Sequence, residues 1–150
     1  YLSQHPRPLA LRLAHAPENL LTLCSKCHRD VERARGAHTA LGGLGYLLIH
    51  LVPMLLMCDP GDLGSAVAAR DSETGLPAIV IYDAIPGGAG MSPRLVALWE
   101  QLILAAWDRV SHCPCSDGCP SCVGPAGESE PGTKEATRRL LSLLLHGLPT

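Results

Sequence analysis

The chain has 150 residues, 47% of them hydrophobic, which suffices for one domain with a modest core or for a domain with a piece of a second. Its formal net charge of −2 lacks the basic footprint of a protein that grips nucleic acid by itself, and with no Phe, two Trp and three Tyr it offers few rings on which bases could stack. Strong stand-alone DNA affinity is therefore not expected, and the core has to be built from Leu, Ala, Val and Ile.

The chain opens Tyr1-Leu2-Ser3-Gln4-His5-Pro6, without a basic segment leading into an apolar run, and reads as a C-terminal fragment of a longer protein from a reducing, cytoplasmic setting. From Glu18 to Arg35, Asn19-Leu20 and Leu23-Cys24-Ser25-Lys26-Cys27-His28 precede a charged run, a pattern that predicts a short strand or turn leading into a small helix. Residues Ala37 to Met57 carry Leu41, Leu44, Leu48, Leu51 and Leu55 at helical spacing, with Pro53 expected to kink or interrupt the helix. The apolar stretch Leu44 to Met57 is short for a membrane span and holds His50 and Pro53, so a buried helix is expected, with His50 a hydrogen-bonded core residue rather than a ligand.

Cys58-Asp59-Pro60-Gly61-Asp62 ends that helix by turn chemistry, and Cys58 is most simply a small buried residue. Asp59, Asp62 and Asp83 are candidates for a carboxylate cluster, though turn and cap roles already explain each. Residues 70–77 are mostly polar and predict an exposed loop, whereas Ala78-Ile79-Val80-Ile81-Tyr82 is β-branched and bounded by Pro77 and Asp83, hence a buried strand. Pro86-Gly87-Gly88-Ala89-Gly90 is either a phosphate cradle or, more simply, the tight turn into a helix that starts with Ser92 as N-cap and Pro93 behind it and runs to about Val110. A last helix is expected from about Lys134 to His146, carrying Arg138 and Arg139 either as a solvated face or as phosphate contacts.

Between these two helices stands Cys113-Pro114-Cys115-Ser116-Asp117-Gly118-Cys119-Pro120-Ser121-Cys122. A Cys-x-Cys step followed by a Cys-x-x-Cys step lets the backbone wrap one ion at a sulfur distance of about 2.3 Å, with Gly118 supplying the reversal and Pro114 and Pro120 stiffening the loop. Four soft thiolates forming a closed set point to a structural Zn2+ site. Paired disulfides are the competing reading, but they need an oxidising compartment and strained geometry over so short a segment, and the total of seven cysteines is odd. His112 adjoins the site, which four sulfurs already close.

The run Ile81-Tyr82-Asp83-Ala84-Ile85-Pro86-Gly87-Gly88-Ala89-Gly90, the helix after it, the four-cysteine knuckle with Val123-Gly124, and His50-Leu51-Val52-Pro53 through Met57-Cys58-Asp59-Pro60-Gly61-Asp62-Leu63-Gly64 together resemble the zinc-binding C-terminal domain of MrfA/YprA-type helicases, superfamily-two DEAD/DEAH-box enzymes. The resemblance spans about residues 37 to 146. It implies an accessory module of an ATP-dependent 3′ to 5′ DNA helicase, tied to DNA repair or to phage defence, with the motor domains of the same polypeptide as partner and DNA engaged through the full-length protein. ATP and Mg2+ belong to the motor, because this chain has no Gly-x-x-x-x-Gly-Lys-Ser/Thr loop and no Asp-Glu-x-His box.

The first 36 residues resemble the second half of an HNH nuclease finger, through Gln4-His5-Pro6-Arg7-Pro8, Asn19-Leu20 and Leu23 to His28. Carried over, the resemblance implies His5 as general base, Asn19 as its orienter and His28 as a divalent-metal ligand, with Cys24 and Cys27 as half of a second zinc site. Gln4 stands where that family usually has a metal ligand, and the matching Cys-x-x-Cys would lie upstream of Tyr1, so a structural or degenerate finger is the preferred form over an endonuclease. The expected architecture is α+β: a helix-dominated small domain with a short buried strand and a four-cysteine zinc knuckle, residues 37–150, preceded by the partial finger, residues 1–36. A zinc-dependent protein-interaction module is the third alternative.

Overall fold

The computed structural model describes residues 30–68, 78–85 and 90–146. The central element is α1, Asp30–Leu56, 27 residues long. The charged run Asp30 to Arg35 is thus the first turns of the same helix as the apolar stretch, not a separate small one. Pro53 lies in its last turn, and the helix closes three residues later. Closure is a Schellman motif: Met57 takes the left-handed conformation at φ 53°, and the Cys58 N–H returns to the Pro53 carbonyl at 3.2 Å.

Asp59 then accepts the Gly61 N–H at 2.8 Å and starts the 3-10 turn Pro60–Asp62, which confirms turn chemistry for Asp59. Strand β1, Leu63–Ala68, pairs antiparallel with β2, Ala78–Asp83, in a register running from Leu63 opposite Asp83 to Ala68 opposite Ala78. Strand β2 was legible as the β-branched run; its Ala78, Ile79, Val80 and Ile81 are all buried. The sheet approaches α1 at Gly45, where an added Cβ would stand 2.8 Å from Val67.

The expected single helix from Pro93 to about Val110 is two helices: α2, Met91–Ala97, and α3, Trp99–His112, divided at Leu98 with φ −98° and ψ 10°. Its start also differs, since Gly90 at φ 71° is the N-cap and Pro93 lies inside the first turn. Helix α2 is pinned by Arg94, whose guanidinium donates to the Leu56 carbonyl at 3.3 Å and so satisfies an open group at the end of α1. Helix α4, Thr133–His146, packs against α1 and α3 through Thr137, Leu140, Leu141 and Leu143.

The buried cluster contains Leu41, Leu44, Leu48, Leu51, Ile79, Leu95, Leu102, Ile103, Val110 and Leu140, and no aromatic ring is fully buried within it. The architecture is α+β and helix-dominated. By length and composition Thr39–Leu56 would suffice to cross a membrane, yet 61% of that window is buried against the other elements, as in the core helix of a packed domain. His50 departs from expectation: it is exposed, with Nδ1 2.7 Å from the Tyr46 carbonyl, because among the described residues no sheet or helix covers that edge of α1.

Candidate metal centre

The knuckle is the connection from α3 to α4. Helix α3 stops at Cys113, held extended at φ −66° and ψ 126° as a residue before proline requires. Gly118 has φ 142°, and an added Cβ there would stand 2.7 Å from the Gly124 carbonyl, so only glycine fits the reversal. Pro120 then presets a turn in which the Cys119 carbonyl accepts the N–H groups of Cys122 at 3.0 Å and Gly124 at 3.2 Å.

These local choices converge the four sulfurs. Cys113 Sγ is 3.5 Å from both Cys115 and Cys119, Cys115 is 3.5 Å from Cys122, and Cys119 is 3.7 Å from Cys122. All four lie within 4.8 Å of one another. A tetrahedron with metal–sulfur bonds of about 2.3 Å has edges of about 3.8 Å, so the donor set fits a four-coordinate ion. A disulfide needs sulfurs about 2.05 Å apart, and all four thiols are free. Burial pushes the Cys122 thiol up to about 12, a value that a bound cation reverses by stabilising the thiolate.

Three helices clamp the loop by its carbonyls. From α4, the Lys134 ammonium donates to the carbonyl of Cys113 at 2.7 Å and to that of Cys115. From α1, the Tyr46 hydroxyl donates to the Pro120 carbonyl at 3.1 Å, and from α3 Arg109 donates to that of Ser121 at 3.4 Å. The loop answers through Asp117, whose carboxylate accepts the Gly132 N–H at 3.0 Å and caps α4 with favourable sign for the helix dipole. None of these tethers is visible in local sequence, since each joins positions 12 to 74 residues apart.

His112 turns away from the sulfurs: its Nδ1 lies 3.0 Å from the Asp108 carboxylate on its own helix, in solvent. Arg138 and Arg139 are both exposed and engaged by Glu135, at 3.0 Å and 3.2 Å, which favours the solvated face over phosphate contacts. Cys58 is half-buried, and burial, then Asp62, raises its thiol. Beside the knuckle a groove of about 560 Å3 lies between Tyr46 and Gly42 of α1 and the loop of Gly124, Glu128 and Ser129; its acidic rim disfavours phosphates. His5, Asn19, Cys24, Cys27 and His28 lie outside the described residues, as do residues 70–77 and Gly87 and Gly88.

Residues 44–123, just over half the chain, match the family described as the MrfA Zn-binding domain. The chain belongs to that family. It is 40% identical over 102 residues to the ATP-dependent helicase YprA of Bacillus subtilis, covering 68% of this chain and 13% of that protein. It is 28% identical over 113 residues to the ATP-dependent helicase HRQ1 of Saccharomyces cerevisiae, covering 71% of this chain and 10% of that one. Among solved structures, it superposes on the DUF1998 helicase MrfA bound to DNA with a TM-score of 0.66 and 35% identity, over 72% of this chain and 14% of that one. The chain therefore spans a small part of the helicases it matches, and its four-cysteine cluster, in a family named for zinc, points to zinc.

Proposed function

We propose that Cys113, Cys115, Cys119 and Cys122 hold one Zn2+ and that the chain is the zinc module of an ATP-dependent DNA helicase of the cytoplasm, acting in DNA repair or phage defence. The observation that carries this reading is the near-tetrahedral gathering of four sulfurs, 3.5 to 3.7 Å apart along four edges, in a chain of the MrfA Zn-binding family. Zinc bound there locks the α3-to-α4 connection, giving a small domain a rigidity that its modest core does not supply alone. The module's work is then shape: it presents a fixed surface to the motor domains of the same polypeptide, which hold ATP and Mg2+ and, through the full-length protein, DNA. In this reading residues 37–150 form the module and residues 1–36 a partial, structural HNH-like finger.

Elemental analysis of the purified chain tests the ion. One zinc per chain is expected, and Cys119→Ser should lose both the metal and most of the thermal stability; unchanged zinc and Tm in that variant overturn the assignment. In a full-length helicase containing the module, serine substitutions in the knuckle should impair DNA unwinding more than ATP binding.

A further inference from the structure

Lys134 stands in the first turn of α4, where the helix dipole favours acidic side chains and disfavours a cation. Its neighbour Glu135 follows that preference and Lys134 does not. The contact that offsets this placement is with the knuckle: the half-buried ammonium donates to the carbonyls of Cys113 and Cys115, the two residues of the Cys-x-Cys step. Zn2+ bound by four thiolates carries a net charge of −2. An ammonium fixed on the carbonyls of two of those ligands would therefore attract the loaded site. Arg109 also reaches the loop, but from an exposed position and at 3.4 Å. The Tyr46 tether to Pro120 is direct yet uncharged.

We infer that Lys134 is a positioning residue of the metal centre, which raises zinc affinity by holding the Cys113 and Cys115 carbonyls together under a positive charge that offsets the zinc–tetrathiolate. The inference rests on the zinc reading above, and it assigns Lys134 an effect on the ion beyond that of a mechanical tether.

The experiment is competition for zinc between the 150-residue chain and a chromophoric chelator, at low and high salt, with Lys134→Met, Lys134→Gln, Lys134→Arg and Tyr46→Phe. Loss of an outer-sphere partner typically weakens metal binding about ten- to a hundredfold, and that loss is expected for both Lys134→Met and Lys134→Gln. Lys134→Arg should recover most of it, Tyr46→Phe should change affinity by less than about threefold, and the gap between wild type and Lys134→Met should narrow with salt. Cobalt substitution should give the same thiolate charge-transfer bands in every variant that binds, since the four sulfurs are untouched. Wild-type affinity in Lys134→Met, or an equal loss in Tyr46→Phe, overturns the inference while leaving the zinc reading intact. A wild-type chain that binds no zinc overturns the zinc reading itself.

Discussion

Gly43 of α1 and Thr137 of α4 meet with no room for a side chain between them: a Cβ on Gly43 would overlap the Thr137 hydroxyl and stand 2.7 Å from Thr133 and 3.3 Å from Val123. The Thr137 hydroxyl is fully buried and donates to the Ala40 carbonyl at 3.5 Å, so the helices touch backbone to side chain at this point. Because Val123 follows the last knuckle cysteine, the crossing also sets where the knuckle sits against α1.

The neighbouring glycine makes the crossing testable. Gly43→Ala gains about 1 kcal/mol of helix propensity but forces apart a packed helix pair, an overpacking loss of about 1–3 kcal/mol, and a net destabilisation is expected. A Cβ on Gly42 meets nothing within 4 Å, so Gly42→Ala should stabilise by about 0.5–1 kcal/mol. Urea unfolding of the pair should give midpoints on opposite sides of wild type.

The end of α1 predicts a second stabilising change. Met57 occupies the left-handed position that the Schellman motif usually gives to glycine, and its side chain is 91% exposed, so little packing is lost with it. Met57→Gly should stabilise by about 1 kcal/mol, read as a higher urea midpoint with unchanged slope.

The knuckle and β2 were legible because their signals are local. Cysteine spacing alone closes the sulfur set, and a continuous β-branched run between turn residues has few other uses. Strand β1 was missed because Leu63-Gly64-Ser65-Ala66-Val67-Ala68 has no strong β pattern of its own. Its pairing does the work: the Tyr82 side chain lies over Gly64, with a ring carbon 2.5 Å and the hydroxyl 2.6 Å from where a Cβ would stand. The break at Leu98 was hidden because apolar periodicity continues across it, while Arg94 is anchored 38 residues back at Leu56. His50 was misread because its neighbours Leu51 and Val52 are buried, and sequence does not reveal which edge of a central helix stays bare.

Acid should act weakly through Glu135. The guanidinium of Arg138, and then that of Arg139, bond its carboxylate and hold it below its ordinary 4.5. A carboxyl lowered in the folded state contributes stability above its unfolded value, and the contribution is lost as pH falls through the folded one. The group is half exposed, so Glu135→Gln should lower Tm by no more than about 2 °C at pH 7, with the difference from wild type closing in acid below the ordinary carboxylate range. A thermal series from about pH 7 to about pH 2.5 on both chains checks the sign.

The preferred reading of residues 1–36 as a structural finger makes a prediction about DNA chemistry. Hydrolysis by an HNH-like site needs a base, an orienter and a metal ligand converging on one phosphate, here His5, Asn19 and His28, and Gln4 replaces a usual ligand with a neutral amide that binds divalent ions poorly. On that resemblance, a divalent ion lacking this ligand would be held poorly against the phosphate, and His5 would have no polarised phosphate to act on. Plasmid DNA incubated with the chain and magnesium, manganese or nickel in turn should therefore remain supercoiled. The same result is expected from a chain extended upstream to supply partners for Cys24 and Cys27, because further zinc ligands would not replace the one missing at Gln4. Nicking that vanishes in both His5→Ala and His28→Ala, while persisting in Cys119→Ser, would instead make the finger a working nuclease beside the zinc module.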